Sequence, residues 1–165
     1  MATHCPKCIN PFTRRVRRKG GWEFLLSYLY LYPHRCQICS HQFRAFKPFK
    51  RYLRRSIDRR QYERIETDLP AHFSCPEQQG EGRVIDLSIA GCRLKSDAHL
   101  KEETILTLQI QIPGEEVTIS VEGALVTISK PEFMGLQFLK FSDNHQSKLS
   151  KLMLTKLAVV NISNI

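Results

Sequence analysis

The chain has 165 residues, 42% of them hydrophobic, enough for one ordinary core with a small accessory module beside it. Its formal charge of +9 is unevenly spread: residues 1 to 64 hold 16 Lys and Arg against 3 Asp and Glu, and the remainder holds 9 against 13. Clustered cations raise the local concentration of anions, so the front half suggests a nucleotide, a nucleic acid or acidic lipid head groups, with a solvated basic arm as the plain alternative.

The first predicted element is a pair of knuckles. Cys5 and Cys8 stand in CPKC, Cys36 and Cys39 in CQIC, and 27 residues separate the pairs. A two-residue gap lets both thiolates of a pair reach one ion, and four thiolates make a closed tetrahedral zinc site. The segment resembles a zinc ribbon over residues 1 to 46. It departs from the common form in two ways: the intervening length exceeds the usual ~15–20 residues, and Ile9 stands where a glycine commonly follows the first knuckle. A redox CxxC wants a βαβ context that is absent here, and disulfides are the remaining alternative. His4, His34 and His41 flank the knuckles; any of them could substitute as a ligand, and a surface histidine is the default reading. Four cysteines leave no open position to activate water, so the expected Zn2+ is structural and catalysis by the metal is not expected.

Between the knuckles runs RRVRRKGGWEFLLSYLYLY, five basic residues followed by an aromatic-rich stretch. The pattern suits a nucleic-acid or membrane-surface contact, but this is the longest apolar run in the module, and packing within it is the favoured expectation. The apolar run at residues 24 to 32 falls far short of the ~20 residues that cross a bilayer, and no small-residue cleavage site follows it. No transmembrane segment is expected, and the chain is read as cytoplasmic.

A basic linker, residues 47 to 57, opens the stretch KPFKRYLRRSIDRRQYER. Lys47, Lys50, Arg51, Arg54, Arg55 and Arg59 follow helical spacing, with Pro48 where a first turn accepts it; helix and extended connector both remain open. Arginine grips phosphate with a planar fork and stacks on bases, so Arg59, Arg60 and Arg64 suit a nucleotide better than lysines would.

After Pro70 the pattern turns to short alternating runs: AHFSC, GRVIDLS, GCRLKS, TILTLQIQI, VTISVEGALVTIS and MGLQFLKF. Val, Ile, Thr and Phe enrichment with turn residues between, including PGEE at residues 113 to 116, predicts about six antiparallel strands in a small barrel. From Ser142 the period becomes helical: Asp143 and Gln146 can form a capping box, and Leu149, Leu152, Met153, Leu157 and Val160 share a face. In DLSIAG, Asp86 and Ser88 lie two apart and so point to one side of a strand. A carboxylate can accept from the N–H edge of guanine, a hydroxyl can bond phosphate or base, and Gly91 permits a turn and close backbone approach.

Arg60-x-x-x-Arg64, then Asp86-x-Ser88-x-x-Gly91, then MGLQFLKF and a final helix resemble the PilZ domain, a bacterial receptor for cyclic di-GMP, over residues 58 to 161. The resemblance implies a mainly β fold, a six-stranded antiparallel barrel with a C-terminal helix, behind the small zinc ribbon. It further implies that Arg60 and Arg64, with Arg59 beside them, bind phosphate and guanine, that Asp86 and Ser88 read a guanine edge, and that Gly91 leaves room for the ligand. Cys75 and Cys92 are read as structural or free thiols. The expected function is a cyclic di-GMP effector whose ligand is clamped between the RxxxR segment and the barrel so as to reposition the ribbon, which would engage a protein partner. The alternatives are a nucleic-acid-binding regulator using the basic front half, and a protein adaptor that binds no nucleotide. No nucleophile and base pair is visible, so an enzyme is not expected.

Overall fold

The computed structural model describes residues 3–18, 20–49, 62–114, 118–142 and 144–162, with side chains as far as 159. The chain divides into two compact units, Met1–Glu63 and Arg64–Ile165.

The first unit is a three-stranded antiparallel sheet in the order β1 (Thr13–Arg15), β2 (Leu31–Cys36), β3 (Gln42–Phe46), with the short helix α1 (Gly21–Tyr28) inserted between β1 and β2. That helix absorbs the extra length between the knuckles. The buried residues include Cys5, Val16, Tyr32, His34, Cys36, Gln37, Ile38 and Ala45, too little apolar material to hold a sheet of this size by burial alone. Both knuckles end in a residue of left-handed backbone, Ile9 at φ 58° and Ser40 at φ 59°. The turn that glycine commonly supplies is therefore made by a β-branched residue, which is the least suited to it.

The aromatic stretch divides in a way the sequence did not suggest. Tyr32, on β2, is buried as expected, whereas α1 buries none of its residues and leaves Trp22, Phe24, Leu25 and Tyr28 exposed. The expectation of packing within the module is corrected for this helix: at about two turns it is too short to cover the sheet, and only Glu23, Leu26 and Ser27 are even half-buried.

The second unit is a closed antiparallel barrel of six strands: β4 (Ile65–Ser74), β5 (Gln79–Ser88), β6 (Gly91–Lys95), β7 (Ile105–Gln111), β8 (Thr118–Lys130) and β9 (Phe133–Phe141), ordered β4-β5-β6-β9-β8-β7. β7 shows the simplest pleat, with Leu106, Leu108 and Ile110 buried and their neighbours exposed. Val84, Leu87, Leu94, Ile119, Val121, Val126 and Met134 fill the interior. Gly114 makes the positive-φ turn expected after Pro113, while Glu115 and Glu116 lie outside the described residues.

A helix, α2 (His145–Ile162), packs on β8 and β4 through Leu149, Met153 and Leu157, three residues at spacing four that are all buried. Its first residue is pinned to the barrel, because the Ser120 N–H donates to His145 Nδ1 at 2.8 Å. Asp143, half of the expected capping box, and the Val160 side chain lie outside the described residues.

One irregularity positions the candidate site. Val84 pairs with Leu94 and Asp86 with Arg93, so β5 carries one extra residue, Ile85, against β6. A bulge of this kind flips the pleat. Strict alternation would put Val84, Asp86 and Ser88 on one face; instead Val84 and Leu87 both point into the core, and Asp86 and Ser88 flank Leu87 on the other side.

Candidate functional site

Cys5, Cys8, Cys36 and Cys39 converge, with their Sγ atoms all within 4.8 Å of one another. Cys5 Sγ lies 3.6 Å from Cys39 Sγ, and Cys8 Sγ 3.5 Å from Cys36 Sγ. A tetrahedral zinc–thiolate site with bonds near ~2.3 Å has sulfur–sulfur edges of about 3.8 Å, so this cluster is of the right size. The Ile38 and Cys39 N–H groups point at Cys36 Sγ, at 3.4 and 3.5 Å, as knuckle amides do when they stabilise a thiolate. Burial pushes the Cys36 thiol up to about 12 when no cation is present. A bound Zn2+ would supply the charge that turns these thiols into thiolates and would tie the two ends of the ribbon together.

None of the flanking histidines joins the cluster. His34 is buried with Nδ1 3.0 Å from the Tyr32 carbonyl, and burial lowers its pKa; this departs from the surface histidine read at that position. His41 stacks on Phe43.

The last described residues of the first unit are tied to β2 and to the turn that follows it. Arg35 Nη1 donates to the Tyr62 hydroxyl at 3.0 Å and its guanidinium lies over the Tyr62 ring, and the Glu63 N–H donates to Gln37 Oε1 at 2.6 Å. Arg64 is the first residue of the second unit. The segment Arg60-x-x-x-Arg64 therefore straddles the join, although Arg59 and Arg60 themselves lie outside the described residues.

On the barrel, Arg64 meets Asp86. Its Nη1 donates to Asp86 Oδ1 at 3.1 Å and to Oδ2 at 3.4 Å, and from the other side Arg93 Nε donates to Oδ2. The Asp86 side chain is only 3% exposed, while each arginine side chain is 36% exposed. Two arginines that still reach solvent thus share one buried anion. The Arg93 guanidinium also lies 5.3 Å from the centroid of the Phe133 ring, which Lys130 Nζ approaches at 5.9 Å. The result is a cationic, aromatic-floored surface built around a single carboxylate.

The other two motif residues are engaged by the fold. Ser88 Oγ donates to the Gly91 carbonyl at 2.9 Å, bracing the hairpin turn. A Cβ at Gly91 would stand 2.2 Å from the Leu136 carbonyl oxygen, so the close approach this glycine permits is that of β9. Cys92 is buried, and desolvation followed by the nearby Asp86 charge raises its thiol pKa well above the ordinary value; Cys75 is buried with its Sγ 3.2 Å from the Gln78 carbonyl. Both are free thiols.

Sequence reasoning missed Arg93 and Phe133. The signal for Arg93 was present: Ser88 pairs with Gly91 across a two-residue loop, and counting outward sets Leu87 against Cys92 and Asp86 against Arg93. Phe133 reaches the cluster only because β9 neighbours β6, an adjacency that no local pattern shows.

The PilZ domain family model matches residues 58–155. The chain belongs to the PilZ family. The match takes in the whole barrel and most of α2, and it begins ahead of Arg60, so both motifs of this PilZ domain lie inside it. Among solved structures, the PilZ chain is similar to YcgR from Escherichia coli in complex with c-di-GMP, at 14% identity and a TM-score of 0.54, over 96% of this chain and 80% of that one. It is also similar to the inhibitor of motility MotI/DgrA from Bacillus subtilis, at 18% identity and a TM-score of 0.54, over 78% and 68% of the two chains. At these identities the likeness is one of fold. No curated protein matches the sequence.

Proposed function

We propose that this PilZ protein is a cyclic di-GMP effector in bacterial second-messenger signalling and not an enzyme. The observation that carries the reading is the meeting of Arg64 and Asp86, residues from two motifs 22 positions apart, on the surface of a PilZ barrel. The solved complex of YcgR with c-di-GMP supports it at the level of fold.

The chemistry is an exchange of partners. Asp86 holds Arg64 and Arg93. A cyclic dinucleotide offers phosphates, for which the guanidinium forks are better matched than a shared carboxylate, and guanine N–H groups, which the released Asp86 accepts. Arg59 and Arg60 join Arg64 in gripping phosphate and stacking on guanine, Ser88 contributes from the adjacent turn, and Gly91 keeps that turn close to the barrel. Because Tyr62 and Glu63 belong to the first unit and Arg64 to the second, drawing Arg60 and Arg64 onto one ligand constrains the join between them. The ligand then favours one placement of the zinc-bearing module over others.

Calorimetric titration of cyclic di-GMP tests the reading. Binding at micromolar concentrations or tighter is expected, with loss in the Arg60→Ala, Arg64→Ala double variant and none for cyclic di-AMP. Absence of heat at high protein concentration would sink it and leave the ligand-free protein adaptor. The nucleic-acid reading rests on the +13 front half alone and predicts affinity that falls steeply with salt. Small-angle scattering that gave the same profile with and without saturating ligand would remove the repositioning step while leaving ligand binding intact.

A further inference from the structure

Most of the apolar residues of α1 face away from its own module. Trp22, Leu25, Tyr28 and the C-cap residue Leu29 follow helical spacing along one stripe and are 70%, 61%, 77% and 62% exposed. Glu23, Leu26 and Ser27 are the less exposed residues, and Ser27 is held by Arg18 Nη1 at 2.8 Å and by its own bond to the Phe24 carbonyl at 2.6 Å. A helix that packs on a core turns the other way. The apolar surface continues past the helix end: the Phe49 ring lies 6.2 Å from that of Tyr30, and Phe46 and Phe49 are both exposed.

Cations border this surface. Arg18 lies 4.4 Å over the half-exposed Phe24 ring, and Arg17 is exposed just ahead of α1. Residues 1 to 63 carry 15 Lys and Arg against 3 acidic residues. An occupant must therefore be anionic at its surface and apolar a few ångströms beneath. A nucleic acid offers phosphate and stacking bases but nothing for Leu25 and Leu29. A bilayer of anionic lipid offers both layers at the right depth, and tryptophan and tyrosine beside arginine are the side chains that settle at its interface.

We propose that α1 is a peripheral membrane contact, seating Trp22, Leu25, Tyr28 and Leu29 in the head-group and upper acyl region of an anionic bilayer while the surrounding arginines engage the lipid phosphates. The helix lies on the surface; no helix among the described residues is long and apolar enough to cross.

Trp22 is the only tryptophan in the chain, so the experiment has a built-in reporter. The full-length, zinc-loaded protein is mixed with vesicles of phosphatidylcholine containing phosphatidylglycerol, and with vesicles of phosphatidylcholine alone. The expected result is co-sedimentation with the anionic vesicles and a shift of Trp22 emission to shorter wavelength, both far weaker with the neutral ones. A Leu25→Asp, Leu29→Asp variant, altered only at exposed positions and checked for unchanged zinc content, loses partitioning by about tenfold or more. Sedimentation without an emission shift would overturn the proposal, since it would mean electrostatic adhesion without insertion. Emission already at short wavelength in the free protein would overturn it too, because the face would then be covered by protein. So would a response to a DNA oligonucleotide with none to either vesicle.

Discussion

At Gly91 the side chain that is missing matters more than any that is present. A Cβ there would enter the Leu136 carbonyl at 2.2 Å, and because that atom belongs to a paired strand neither partner gives way cheaply. Gly91→Ala is expected to lower barrel stability by about 1–3 kcal/mol in urea unfolding. Gly123→Ala, where the nearest atoms stand at 3.8 Å, is the matched control and should change little. Ile9 presents the opposite case. It holds a left-handed backbone at φ 58° and is 78% exposed, so Ile9→Gly removes strain and sacrifices almost no burial. After the extra chain entropy of glycine is offset, the first unit should gain about 0.5–1 kcal/mol, read as slower zinc transfer to a chromophoric chelator. Arg93 shares the buried Asp86 carboxylate with Arg64. Arg93→Ala leaves that charge one donor short and should cost about 1–3 kcal/mol, an effect the Asp86→Ala, Arg93→Ala pair would largely cancel.

At the scale of elements, α2 was legible and α1 was not. The apolar stripe of α2 is regular, its Leu149, Met153 and Leu157 have a barrel to pack on, and Met153→Ala should destabilise the domain by about 2–4 kcal/mol while Leu154→Ala, on the exposed side, changes thermal unfolding little. The residues of α1 are just as apolar, but the ribbon is too small to receive them. Apolar composition tells that a surface wants cover without telling what covers it. The β5 strand shows a similar limit: GRVIDLS reads as a strand, yet the extra residue at Ile85 that sends Asp86 and Ser88 to one face and Leu87 to the other appears only in the pairing with β6.

For the whole molecule, the two units carry their stability in different forms. The barrel has a filled apolar core, whereas the first unit buries little apolar surface around a four-cysteine cluster suited to a structural metal. Chelation of zinc, or Cys36→Ser, should therefore unfold the first unit and leave the main thermal transition of the barrel in place. A single transition that moved as a whole would show the units to be coupled.

Local chemistry by itself determined the four cysteines at knuckle spacing, the six strand-forming runs, the final helix and the two motifs with their resemblance, because spacing, alternation and turn residues act over short distances along the chain. Only the tertiary structure decided the closed strand order, the bulge that orients Asp86, the recruitment of Arg93 and Phe133, and the outward face of α1. Those depend on which strand lies beside which and on how much surface a neighbour can cover, and such quantities are properties of the packed chain.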